Sequence, residues 1–193
     1  MNKRAVFLDR DGTLNEDAGY PGNFGSISIY PESFEAVRRL NEAGLLAIVV
    51  SNQSGVGRGL FGEAEVEDIH RQMAGAFASR GARLDAFYYC PHFEGSADPG
   101  YAAACECRKP KPGLALRAAA DFGIDLARSY MVGDKPDDIA FGRNIGALPV
   151  LVLTGQGRGS RKRLRDQGPA PGHVAAGVLA AVRWIIRRER GTR

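Results

Sequence analysis

Two acidic clusters and one group of soft metal ligands carry the chemistry available to this chain. The acidic clusters are Asp9-Arg10-Asp11-Gly12-Thr13, near the amino terminus, and Gly133-Asp134-Lys135-Pro136-Asp137-Asp138, much later; Cys90-Pro91-His92 and Cys105-Glu106-Cys107 lie between them. Carboxylates gathered from distant parts of a chain oppose one another, and a hard divalent cation with oxygen ligands relieves that opposition. Asp9, Asp11 and Asp134 are therefore candidate magnesium ligands, and the ion would also let an anionic nucleophile approach a phosphate. Asp9 and Asp11 are two residues apart, so in extended backbone both side chains reach the same side. One carboxylate can then attack phosphorus while the other protonates the leaving oxygen and later deprotonates water. A single aspartate after a strand is commonly a turn former, and Asp137 or Asp138 taken singly reads equally well as a helix cap. It is the pairing of the two clusters that points to chemistry.

All three cysteines sit in the intervening segment. An odd number beside a histidine suits a metal site better than a disulfide framework. Three thiolates and an imidazole are the ligand set of a closed tetrahedral zinc site, so Cys90, His92, Cys105 and Cys107 are expected to hold a structural zinc with no position open for catalysis.

The elements that must position these groups can be read from apolar patterning. Lys3 to Leu8 is a short apolar run that Asp9 closes, and Leu45 to Val50 is an uncharged run followed by Ser51-Asn52-Gln53; both read as buried strands. Leu84 to Tyr89, Ser129 to Val132 and Val150 to Leu153 read as further strands, the last entered through Pro149. Helical patterns cover Pro31 to Gly44, Gly62 to Arg80, Gly113 to Phe122 and Asp137 to Ile145, with His173 to Arg188 as an amphipathic tail helix. Glu16 to Tyr30 is too irregular to assign, and Pro91 to Pro112 is a long loop that calls for a function or a staple. Strand alternating with helix predicts an α/β fold, a doubly wound and mainly parallel sheet with right-handed crossovers. Ligands of such sheets bind beyond the carboxyl ends of the strands, where both acidic clusters fall. Asn52 and Gln53 would add neutral donors there. The expected organisation is a single domain over 1–193, with a zinc loop at 90–107, a basic, glycine-rich connection at 155–172 and a carboxyl-terminal helix with a basic tail at 173–193.

The set Asp9-Arg10-Asp11-Gly12-Thr13-Leu14, Ser51, Lys109 and Gly133-Asp134 resembles the haloacid dehalogenase-like superfamily of phosphohydrolases. The resemblance implies Asp9 as nucleophile, Asp11 as general acid/base and donor of a backbone carbonyl to magnesium, and Asp134 as a further ligand. It also implies Ser51 as the hydroxyl that holds the phosphoryl group, Lys109 as the cation that offsets its charge, and Asp138 as support for the metal shell. Ser51-Asn52-Gln53-Ser54-Gly55, Tyr88-Tyr89-Cys90-Pro91-His92, Cys105-Glu106-Cys107-Arg108-Lys109-Pro110 and Tyr130-Met131-Val132-Gly133-Asp134-Lys135 are similar to the branch of heptose bisphosphate phosphatases and histidinol phosphatases, from about Val6 to Thr154. The twelve residues between His92 and Cys105 favour the heptose members. Lys111 is a feature shared with histidinol-type sequences, and Ser51 stands where heptose relatives often carry threonine. The resemblance implies a small phosphorylated sugar as substrate, a site with little or no cap, and a role in activated-heptose synthesis for lipopolysaccharide or surface glycans. Substrate contacts are then expected from Asn52, Gln53, Arg58, Arg108 and Lys135, with zinc anchoring Cys105 and Cys107 so that Arg108 and Lys109 are held over the crevice.

Bulk properties bound the alternatives. In 193 residues, 44% hydrophobic and 25% charged, one well-supplied core is expected. The apolar start is too short for a signal peptide, and the tail helix is broken by Arg183, so a cytoplasmic protein without a membrane partner is expected. The net charge of +4 comes largely from Arg158 to Arg165 and Arg183 to Arg193, which read as solvated surface. Nucleic-acid binding would need stacking aromatics, and Trp184 sits where helix packing accounts for it. A zinc-stabilised binding protein without activity is disfavoured because Asp9, Asp11, Lys109 and Asp134 are present together. A monomer is expected, since one chain carries the full set.

Overall fold

A computed structural model describes residues 3–102 and 104–191. Six strands, β1 (Ala5–Leu8), β2 (Leu46–Asn52), β3 (Ala86–Cys90), β4 (Tyr130–Gly133), β5 (Leu148–Val152) and β6 (His173–Ala175), form one sheet in the order β3-β2-β1-β4-β5-β6. Every neighbouring pair is parallel. Seven α-helices lie among the described residues: α1 (Pro31–Glu42), α2 (Glu63–Ala78), the single turn α3 (Pro99–Ala102), α4 (Gly113–Phe122), α5 (Pro136–Asn144), α6 (Gly157–Gln167) and α7 (Val178–Gly191).

The uncharged strands follow from burial on both faces. Val6, Leu8, Ala47, Val49, Tyr130 and Val132 point into a core shared with α1, α2 and α7, and Ala5, Phe7, Ile48, Val50 and Met131 into a second core shared with α4 and α5. Phe7 meets Phe141 edge-on, 6.4 Å between ring centroids, which locks α5 beneath the strand that ends at Asp9.

Several boundaries differ from those the sequence suggests. β2 runs on through Ser51 and Asn52 because both continue the ladder, opposite Tyr89 and Cys90 of β3. Pro149 lies inside β5, paired with Met131, rather than ahead of it. His173–Ala175 is an edge strand on β5, where the apolar pattern had suggested the first turn of the tail helix. The glycine-rich segment expected as a connection contains α6, whose Gly157, Ser160 and Leu164 face inward at helical spacing while its arginines face solvent. α7 is docked rather than trailing: Glu189 pairs with Arg4 and accepts a hydrogen bond from the Tyr130 hydroxyl at 2.7 Å. Of the basic tail, Thr192 and Arg193 lie outside the described residues. No described helix is long and apolar enough to cross a membrane.

Candidate active site

The chain turns from β1 toward β2 on one side and later enters β4 on the other, so the strand order reverses between β1 and β4. Loops diverge at such a point and leave a crevice at the carboxyl ends. Asp9 follows β1 with its N–H on Val132 O at 2.9 Å, and Asp134 follows β4. Gly12 makes their approach possible: its φ is +92°, and a Cβ there would stand 2.3 Å from Asp134 Oδ2. Gly133 does the same for Asp138, whose carboxyl carbon would lie 2.3 Å from an added Cβ.

Asp9, Asp134 and Asp138 are all buried, and carboxylate oxygens from the three lie within 4.8 Å of one another. Lys109 is buried against them, and its three donors are fully used: Asp9 Oδ1 at 2.6 Å, Asp138 Oδ1 at 2.7 Å and Val50 O at 2.9 Å. Burial alone would lower the Lys109 ammonium, but Asp138 and Asp9 outweigh it and push the group up to about 12. Burial raises the Asp9 carboxyl to about 7 despite the attraction of Lys109, and raises Asp134 to about 6. Asp9 Oδ2 and Asp134 Oδ1 are buried with no protein hydrogen-bond partner. Two orphaned carboxylate oxygens facing one crevice are the surroundings a hard divalent cation fits.

The Asp11 carboxylate does not join this cluster, contrary to what its extended spacing from Asp9 suggests. The backbone bends at Arg10, where the carbonyl accepts from the N–H groups of Thr13, Leu14 and Asn15. Asp11 is instead held by Arg10 at 3.0 and 2.9 Å, by Asn15 at 2.9 Å and by Gln53 at 3.0 Å. Burial would raise its carboxyl, but Arg10 and these hydrogen bonds hold it below the usual carboxylate range. Its backbone carbonyl remains turned to the crevice, 3.4 Å from the Lys135 ammonium.

The other expected residues fall into an inner row and a rim. Gln53 Nε2 donates to Ser51 Oγ at 2.6 Å as well as to Asp11, which ties the end of β2 to the loop after β1. Asn52 holds the Lys109 backbone from both sides, at 3.1 and 3.0 Å. Lys135 pairs with Asp17 at 3.1 Å, and Gln156 donates to the same carboxylate at 3.2 Å. Arg108 donates to His92 O at 3.2 Å and lines a cleft of about 270 Å³ with Phe93, Lys109 and Asp137. The Arg58 guanidinium is not among the carboxylates; it stacks 3.7 Å above the Phe93 ring and 5.6 Å from that of Tyr20, joining the irregular Glu16 to Tyr30 segment to the cysteine loop across the rim. Asp17, Asn15 and Gln156 carry no motif and were not singled out by sequence. The larger cavity, about 480 Å³, opens at the amino-terminal ends of the strands and contains none of these groups.

The four cysteine and histidine side chains also meet. Cys90 Sγ lies 3.5 Å from His92 Nδ1 and 3.6 Å from Cys105 Sγ, and Cys107 Sγ lies 3.3 Å from the same Nδ1. The edge of a tetrahedron with metal–sulfur bonds of ~2.3 Å is about 3.8 Å, so the spacing suits a zinc ion with little adjustment. β3 delivers Cys90 from its last position, and the loop is pinned where Gly57 N–H meets Pro91 O at 3.0 Å and where Tyr101 donates to Glu63 at 2.9 Å.

Comparison with known proteins agrees with this geometry. Residues 106–181 match the family model described as "HAD-hyrolase-like". The D-glycero-D-manno-heptose-1,7-bisphosphate 7-phosphatase of Thermosynechococcus vestitus is 41% identical over 189 residues, 96% of each chain. The D-glycero-beta-D-manno-heptose-1,7-bisphosphate 7-phosphatase of Escherichia coli is 43% identical over 79% of this chain and 80% of its own. Among solved structures, the D,D-heptose 1,7-bisphosphate phosphatase of B. bronchiseptica, complexed with magnesium and phosphate, superposes with a TM-score of 0.83 at 33% identity, covering 96% of this chain and 99% of that one. Full-length similarity at this level, on a parallel sheet whose strand ends gather these carboxylates, places the chain in the D-glycero-D-manno-heptose 1,7-bisphosphate 7-phosphatase family of haloacid dehalogenase-like hydrolases.

Proposed function

We propose that this phosphatase removes the 7-phosphate of D-glycero-D-manno-heptose 1,7-bisphosphate through an aspartyl-phosphate on Asp9, leaving the heptose 1-phosphate for nucleotide activation. The observation that carries the reading is the buried Asp9–Lys109 pair beside two partnerless oxygens, Asp9 Oδ2 and Asp134 Oδ1. Asp9, Asp134 and the Asp11 carbonyl would hold magnesium, which when bound draws charge from the phosphoryl oxygens. Asp9 attacks phosphorus as the bond to the sugar oxygen breaks, and that oxygen takes its proton from Asp11, which must first bind one against the pull of Arg10. Asp11 then takes a proton from water as the water attacks the acyl phosphate, and inorganic phosphate leaves with Asp9 restored. Lys109 offsets the charge at Asp9, the Ser51 hydroxyl held by Gln53 steadies the phosphoryl oxygens, and Asn52 fixes the Lys109 backbone; catalysis of this kind is largely positioning and electrostatics. Lys135, Arg108 and Arg58 would meet the rest of a doubly charged substrate. The Cys90, His92, Cys105 and Cys107 set would hold structural zinc, making no bond in the reaction.

The test is product analysis by phosphorus NMR with both anomers of the bisphosphate and, in parallel, histidinol phosphate. Release of the 7-phosphate at a kcat/KM well above that for histidinol phosphate is expected, with Asp9→Asn inactive. Preference for histidinol phosphate, or wild-type turnover by Asp9→Asn, would overturn the reading.

A further inference from the structure

Arg10 has no exposed surface, although it is the longest side chain in the strand-end motif. A guanidinium only donates, and in a dry site its N–H groups need acceptors. Nε and Nη2 fork onto both oxygens of Asp11, and Nη2 also reaches Gln53 Oε1 at 3.1 Å. Nη1 turns the other way, to His70 Nε2 at 3.4 Å. Since arginine supplies the hydrogen, that ring nitrogen must present its lone pair, which places the His70 proton on Nδ1.

His70 is itself fixed. It projects from the buried side of α2, stacked on Phe87 at 4.6 Å between centroids and set against the edge of Tyr89 at 5.6 Å. Both rings belong to β3, so the sheet sets the imidazole plane, the imidazole sets Nη1, and the opposite edge of the guanidinium sets Asp11. Burial and the neighbouring Arg10 charge hold His70 down to about 3, so it remains an acceptor throughout the neutral range. A residue that only filled the space between α2 and β3 would have no reason to aim a ring nitrogen at a buried cation.

We infer that His70 is a positioning residue for the reaction, acting through Arg10 to fix the Asp11 carboxylate that exchanges protons with the leaving oxygen and with water. The inference rests on the acid/base reading of Asp11 given above. Small misplacement of an acid/base group costs turnover rather than binding.

The experiment compares steady-state kinetics of the intact, magnesium-supplemented enzyme, wild type against His70→Leu, His70→Gln, His70→Asn and Asp11→Asn, on heptose 1,7-bisphosphate and on p-nitrophenyl phosphate. His70→Leu is expected to lower kcat about tenfold with KM changed by less than about twofold. His70→Gln, whose amide oxygen reaches the Nε2 position, should recover kcat to within about threefold of wild type, while the shorter His70→Asn should not. The loss should be larger on the sugar, because nitrophenolate leaves without a proton. Wild-type kcat in His70→Leu, an effect confined to KM, or equal losses in the Gln and Asn variants would overturn the inference. If His70→Leu fails to fold, the Gln against Asn contrast still decides it. Asp11→Asn separates the two ideas: full turnover there would refute the acid/base reading itself, whereas its inactivation beside an unaffected His70 series would refute only the role of His70.

Discussion

At the scale of single residues, Lys109 holds the site together. It closes an ion pair and hydrogen bonds with Asp9 and Asp138, and all three side chains are buried. Removing one partner of such a buried arrangement leaves uncompensated charge, at a cost of about 3–5 kcal/mol. Lys109→Met is therefore expected to lower stability by that order in urea denaturation of metal-free protein, and to abolish turnover. The raised carboxyls give a second expectation. Asp9 and Asp134 titrate near 7 and 6 in the folded chain against a usual 3.8, so between these limits the native state binds more protons than the unfolded state. These groups thus stabilise the metal-free fold in acid, and that contribution is lost as pH rises through their folded values. Magnesium needs the ionised forms, so its stabilisation should grow over the same interval. Thermal unfolding with and without magnesium should show a larger rise in Tm at pH 8 than at pH 5.5; an equal or smaller rise would contradict the assignment.

At the scale of elements, the segment after β3 joins two functions. Cys90 ends a strand of the sheet, whereas Cys105 and Cys107 lie immediately before Arg108 and Lys109. A zinc ion bridging them would shorten the freedom of a long connection at the point where its two cations must enter the crevice. Freshly purified protein should contain about one zinc per chain by elemental analysis. Cys105→Ser should release much of it, make the 91–107 segment a preferred protease site and reduce turnover by about tenfold or more. Retained zinc with normal turnover in that variant would show that Cys105 is not a ligand.

At the scale of the whole molecule, the crevice is bounded, among the described residues, by the connections that follow the strands. The segment after β1 supplies Asp17 and Tyr20, the one after β2 supplies Arg58, and the cysteine loop supplies Phe93 and Arg108. On the proposed reading, selectivity for a doubly charged substrate would come from cations on this rim. Arg108→Ala should lower kcat/KM for the bisphosphate about tenfold or more while changing that for p-nitrophenyl phosphate less than threefold. Equal losses on the two substrates would place Arg108 with the transferred phosphoryl group.

The parallel α/β fold, and the meeting of Asp9 with Asp134 and of Cys90 and His92 with Cys105 and Cys107, were legible in the linear chain because their signals are local. Uncharged runs end at Asp9, at Ser51 and at Asp134, and the cysteines occur nowhere else. Tertiary structure decided what depends on partners distant in sequence. Whether β2 stops at Val50 or carries Ser51 and Asn52 is set by pairing with β3, and His173–Ala175 is a strand only because β5 offers it an open edge. The Asp11 carboxylate turns away from Asp9 because Arg10, Asn15 and Gln53 satisfy it elsewhere, and no spacing rule contains those hydrogen bonds. His70 reads in sequence as one polar position on a helix, and only the packing of α2 against β3 brings it to Arg10. Strand and ligand identity follow from the order of residues; the aim of each side chain follows from which buried donors and acceptors the folded chain leaves within reach.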